Sequence, residues 1–377
     1  MITWTFKTTA LVLLTVFVAS FLLFNTYSHA YPQASFMWGA ISPSNRIFAD
    51  GHIDFRSYGT DKMGSYVTGT SEYYFVTLYL NALVSIVTSL SPEMVMSLPL
   101  LYLFSGIAFY ILALKLIKSQ RYAYLALVLF MFGDAWYLIA NRVEYTFPIA
   151  MFLILCLLNC FHSYFNKNSI KNSIAIIFLM GALIFTYYSL AFYFLFISTG
   201  FFVLGVICPI VRSRLKKKTA HKKPSFIPLF LISAISIISY TLLLSPIAND
   251  VLFLVEIKPS PFITAPSIQW TTIRPLLMLH MAIMILASLP AFVYSLWQVL
   301  KKNYSVSEFS IVALGLSATG FFASMFTQSY FGMRGFIYSY FLMAILSVLS
   351  FKLFAERLDG LKAASSKFLS SKAIVNL

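Results

Sequence analysis

The chain has 377 residues, of which 60% are hydrophobic and only 10% charged, with a mean hydropathy of +0.83. A soluble domain carries about 25% charged residues, so this composition cannot coat a water-exposed globule and predicts a chain dissolved in a bilayer. The net charge of +15 falls in short clusters between apolar runs, which fits the positive-inside rule and argues against nucleic acid as a partner.

The predicted class is all-α, a polytopic membrane protein of about ten transmembrane helices with one long outer loop, because a spanning segment in lipid must satisfy its backbone polar groups internally. The expected spans are 8–27, 94–115, 122–141, 145–163, 170–187, 189–211, 225–246, 276–299, 306–327 and 335–355. The first run is preceded by Lys7 and followed by Ser28-His29-Ala30, which imitates a signal peptide. Its length of about 20 residues exceeds the usual 7–15 of such a region and favours a retained helix.

Residues 28–91 form the first extracytoplasmic loop. It carries Asp50, Asp54, Asp61 and Glu72, with Glu93 just beyond, in a chain with only 12 acidic residues. Within it, 72–91 is apolar but interrupted by Thr77, Asn81, Ser85 and Thr88. These polar positions share one helix face, so 72–91 is expected to be an amphipathic helix lying on the membrane surface. A true span there would invert every later loop.

With the N-terminus in the cytoplasm, 20 of the 27 Lys and Arg residues fall in inner segments. The seven outer ones are Arg46, Arg56, Lys62, Arg142, Lys258, Arg274 and Arg334. The alternation is unbroken and puts the basic run RSRLKKKTAHKK and the polar tail 356–377 inside. The chain therefore reads as one membrane domain, 1–377, of a plasma-membrane protein with both termini cytoplasmic. Cys156, Cys160 and Cys208 sit in apolar runs without metal-type spacing and read as small packing residues.

Four patches resemble one family. NRIFADGHIDFRSY lies in the first outer loop. SPEMVMSLPLLYLFSGIAFYILALKLIKS is a Pro-containing second span that ends in basic residues. ANRVEYTFPIAMFLILCLL places an Arg and a Glu before the fourth span. MRGFIYSYFLMAI opens the last one. Their order resembles the GT-C superfamily of membrane glycosyltransferases, especially the archaeal dolichyl-phosphate-sugar-transferase-like members. The likeness covers most of the chain in layout but only these patches in residues.

The resemblance implies transfer of a sugar from a polyprenyl-phosphate donor to an acceptor on the extracytoplasmic face. Membrane lipid and the polyprenyl-phosphate-linked sugar would be the partners. The acceptor must lose a proton, which a carboxylate can take. The leaving phosphate needs an Arg, Lys or divalent cation beside it. Asp50, Asp54 and Glu144 are the catalytic candidates. Arg334, Arg274, Arg142, Tyr187 and Tyr188 are the substrate-binding candidates, with Arg334 first because its guanidinium suits a phosphate. Asp50, His52 and Glu144 are candidate ligands for a divalent cation.

Each residue also has a plainer reading. Asp50 and Asp54 read as solvated loop carboxylates, Asp61 with Lys62 as a surface ion pair, Arg142 with Glu144 as an interfacial pair, and His280 as a satisfied buried histidine. Asp134, inside the run MFGDAWYLIAN, is costly in lipid and calls for a cavity or a partner among Arg274, Arg334 and His280.

Two departures stand out. Many such relatives carry an acid about fifteen positions before the loop glycine, here Gly51. This chain has Phe36 near that place and no acid from Met1 to Ala49. A His pair at the outer end of the fifth span is replaced by Tyr187-Tyr188. The alternatives are therefore a non-catalytic GT-C-like protein that binds lipid-linked sugar, and a lipid-sugar flippase or transporter.

Overall fold

A computed structural model describes residues 6–28, 75–91, 95, 100–133, 146–166, 170–186, 190–191, 193–195, 197–204, 268–301, 305–326 and 339–359. Every regular element among them is an α-helix. In chain order these are α1 (Phe6–Ser28), α2 (Phe75–Thr88), α3 (Leu100–Ile117), α4 (Gln120–Met131), α5 (Thr146–Asn166), α6 (Ile170–Thr186), α7 (190–204), α8 (Ile268–Lys301), α9 (Val306–Phe326) and α10 (339–359). Nine of the ten expected spans coincide with one of these helices in their described part. The expected span 225–246 lies outside the described residues.

Contacts between the helices orient them. Lys118 Nζ donates to Ser305 Oγ at 3.1 Å and Lys352 Nζ to Ile117 O at 2.9 Å. Thr8 Oγ1 lies 3.4 Å from Gln120 Oε1. The end of α3, the starts of α1, α4 and α9 and the later turns of α10 therefore meet at one end of the bundle. At the other end the Tyr340 hydroxyl donates to Leu129 O, and the Tyr193 ring meets Phe341. The start of α10 thus lies by the end of α4 and the start of α7. Helix α8 runs parallel to α10, since Ser288 reaches Met343 O and the Ala291 N–H donates to Ser350 Oγ. Lys7, Lys115, Lys118, Arg121, Lys171, Lys301, Lys352 and Arg357 consequently share one end. Of the described basic residues, only Arg274 belongs to the other.

The interior is built on aromatic rings. Phe109 stacks on Phe130 at 4.1 Å between α3 and α4. Phe161 of α5 meets both Phe194 and Phe201 of α7 edge-on, and Phe201 continues to Phe309 of α9. All are buried; truncating one such ring to Ala costs about 3–5 kcal/mol.

Helix α8 distributes its residues in the reverse of a soluble helix. Its inner stripe is Met284, Ser288, Ala291, Ser295 and Val299, all buried. Its outward stripe is Leu279, Ile283, Leu286, Val293, Trp297 and Leu300, with Leu286 66% and Val293 58% exposed against 1% for Ser295. Small and hydroxyl residues let helix backbones approach closely. The hydroxyls often satisfy themselves on the preceding turn, as Ser288 does on Met284 O and Ser317 on Ala313 O. Lys301 closes the stripe over the Trp297 ring at 4.4 Å.

Among the described residues one helix, Ala282–Lys301, is long and apolar enough to cross a membrane by length and composition. Shorter apolar helices are Thr8–Ser20, Tyr102–Ile117, Ile149–Tyr164, Ile170–Ile184, Tyr193–Leu204 and Val306–Ser317.

Three boundaries differ from expectation. Helix α8 starts at Ile268 rather than 276, so Pro275 is not a first-turn residue and Arg274 lies in the second turn. Proline is most at home at the first helical position. Here α8 instead continues through both Pro275 and Pro290, each of which removes one backbone donor. Helix α10 continues to residue 359, so the tail expected from 356 begins with a last helical turn. Helix α2 covers Phe75–Thr88 within the expected 72–91 and ends at Ser89 in the left-handed region (φ 57°). Its expected polar face divides: Ser85 is buried and Thr88 exposed, while Leu83, Ile86 and Val87 point outward.

Candidate functional site

The lysine-poor end holds a polar cluster drawn from three helices, α4, α8 and α10. Tyr340, 1% exposed, donates its hydroxyl to Leu129 O at 3.2 Å. That carbonyl belongs to the last turns of α4. The His280 ring from α8 faces the Tyr340 ring at 5.9 Å and 30°. At the neighbouring positions of α10, Tyr193 of α7, fully buried, faces Ser339 and stands edge-on to Phe341.

Gly133 explains how the cluster closes. It stands two residues past Met131, the last residue of α4, and a Cβ there would overlap the Tyr340 hydroxyl. Only a residue without a side chain lets the phenol reach the last carbonyls of α4. Those carbonyls lack intrahelical partners at a helix end, so an incoming hydroxyl is a favourable cap. Of its two side chains the phenol is already engaged on Leu129 O, and the imidazole brings the ring nitrogens.

Most residues singled out in the sequence fall elsewhere in the chain. Asp50, His52, Asp54, Asp61, Asp134, Arg142, Glu144, Tyr187, Tyr188 and Arg334 lie outside the described residues. For Arg274 the backbone alone is described, in α8 six residues before His280. His280 is the one whose side chain is described, and its ring is turned to Tyr340. By chain position some of the undescribed candidates adjoin the helices of this end. Asp134 follows Gly133, Arg334 stands five residues before Ser339, Tyr187-Tyr188 precede α7, and Arg142 and Glu144 precede α5. Among the described residues no three His, Cys, Asp or Glu side chains group as a metal site. The candidate cation ligands Asp50, His52 and Glu144 are not among them.

Sequence reasoning missed Tyr193, Ser339 and Tyr340. They read as parts of apolar spans, and their one signal was two polar residues, Ser339-Tyr340, in a run that the Arg334 motif introduces. No protein-family model matches this chain, and no curated protein shows significant similarity to it.

Proposed function

We propose that the chain is a membrane glycosyltransferase that moves a sugar from a polyprenyl-phosphate donor to an acceptor at the extracytoplasmic end of its bundle. The observation that carries this is the His280–Tyr340 pair at the lysine-poor end, where α4 leads on to Asp134, α10 follows Arg334 and α7 follows Tyr187-Tyr188. The reversed faces of α8 support a bilayer surroundings. The concentration of lysines at the opposite end supports an inner side there. The resemblance in the four sequence patches supports the reaction class.

In this reading Arg334 and Arg274 hold the donor phosphate and stabilise its departing charge. Asp50, Asp54 or Glu144 takes the acceptor proton. The bond from the anomeric carbon to the phosphate oxygen breaks as the acceptor oxygen or nitrogen attacks from the opposite side.

A second reading is motivated by the lack of any acid from Met1 to Ala49: a protein that binds lipid-linked sugar without turnover. Reconstituted vesicles given labelled polyprenyl-phosphate sugars decide between them. Transfer that falls at least about 100-fold in Arg334→Ala and in the triple variant Asp50→Ala/Asp54→Ala/Glu144→Ala supports the transferase, since one electrostatic contact contributes about 10²–10³. Donor binding without transfer for the whole panel supports the second reading. Transfer unchanged in both variants overturns the site.

A further inference from the structure

We propose that the lysine-rich end binds an anionic phospholipid where α3, α4 and α10 meet, with Lys118, Arg121 and Lys352 on its phosphate and Tyr122, Phe351 and Phe354 along its acyl chain. The inference rests on the membrane reading above but not on sugar transfer.

Three cations are brought together by one turn. Lys118 ends α3 in the left-handed region (φ 57°), with its N–H on Leu114 O at 3.0 Å. The chain then enters α4 at Gln120, which places Arg121 one turn from Lys118. Lys352 arrives from α10, donating to Ile117 O at 2.9 Å. Lys118 engages a neutral hydroxyl and Lys352 a neutral carbonyl beside its ion pair with Glu356, and each ammonium keeps further donors. Two carboxylates stand nearby. Glu356, 59% exposed, lies 3.8 Å from Lys352. Glu308 accepts from the Ser305 N–H and hydroxyl and so serves as the start of α9. The local balance remains positive.

Apolar surface adjoins these cations on the same two helices. Tyr122, next to Arg121, meets Phe351, next to Lys352, at 6.3 Å. Phe351 is 57% exposed and Phe354, on the same helix, 63%. A soluble phosphate would use the cations and leave these rings bare. A phospholipid covers both, because its charged head and apolar chain match the two halves of the surface. Basic pockets between helices on the cytoplasmic side are the setting in which anionic head groups are held.

The test uses the purified full chain in lipid discs of phosphatidylcholine doped with phosphatidylglycerol, with retained lipid counted by mass spectrometry. Lys118→Gln/Arg121→Gln spares Lys352, which also supports α3. It should lower the preference for phosphatidylglycerol about 30-fold, as expected for two cations at an anionic surface. The conservative exchange Lys118→Arg/Arg121→Lys should keep it, which guards against a variant that merely misfolds. Lys171→Gln/Arg357→Gln removes two exposed charges from the same end and should change the preference little.

Equal loss in the two Gln pairs means diffuse surface charge and overturns the site. So does displacement of the lipid by millimolar inorganic phosphate, which would mark a soluble-anion site. No preference in the wild type overturns it as well. Recovery of the chain in the aqueous phase without detergent would instead overturn the membrane reading itself.

Discussion

A charge placed on the outward stripe of α8 separates lipid from water as its surroundings. From Leu279 to Leu300 the stripe spans 21 residues, about 32 Å at 1.5 Å each, close to the roughly 30 Å of a hydrocarbon core. Leu286 and Val293 lie about 21 and 10 Å from its Leu300 end, so both are within about 6 Å of the middle. Arg at the centre of a spanning helix costs about 2.5–3.5 kcal/mol, or roughly 150-fold in an equilibrium at the mid-value. At an exposed position in water the same change usually stays within about 0.5 kcal/mol. Leu286→Arg and Val293→Arg should therefore each destabilise the chain by about 3 kcal/mol in lipid discs, measured by reversible unfolding. Leu300→Arg, at the interface beside Lys301, should cost under about 1 kcal/mol because its side chain reaches the head groups. A flat profile, with all three within about 0.5 kcal/mol of wild type, would refute the reasoning.

Other expectations concern the interior. Gly133→Ala should cost about 1–3 kcal/mol by overpacking against Tyr340 and should lower sugar transfer, since the ring must move; unchanged unfolding and turnover would contradict the close approach. Ser295 is buried with no hydrogen-bond partner among the described residues, so Ser295→Ala should be neutral or stabilising by about 1 kcal/mol, whereas Ser295→Leu should destabilise by about 1–3 kcal/mol. Both are read by the same unfolding measurement, and the reverse order would mean that this face is not an interior one. Lys115 Nζ donates to Asn159 O at 3.1 Å and Ser163 Oγ at 3.0 Å, tying α3 to α5; Lys115→Ala should cost about 2–4 kcal/mol from two charge-assisted hydrogen bonds, and a cost below about 0.5 kcal/mol would remove that tie from the fold.

The helices could be read from the sequence because long apolar runs mark helices by length and hydrophobicity alone. The span expected from 276 starts eight residues late, since α8 begins at Ile268 and runs on through Pro275. Polar residues on α2 suggested a wet face, yet Ser85 is buried and Ile86 and Val87 are exposed. The site was harder still. His280 could be noticed alone, but its neighbour Tyr340 is 60 residues away and Gly133 is more distant. Nothing local in FIYSYFLMAI shows that one phenol will cap α4. Such convergence is a property of packing, and it is written in no single window of the chain.

The most direct measurement of the central claim is sidedness at the two ends of the bundle. With Cys156, Cys160 and Cys208 replaced by alanine, single cysteines at Gly59→Cys and Lys171→Cys are offered a membrane-impermeant maleimide in intact cells. Labelling at position 59 before lysis, and at 171 only after it, is the predicted result. The opposite order would put the lysine-poor end in the cytoplasm and contradict extracytoplasmic sugar transfer.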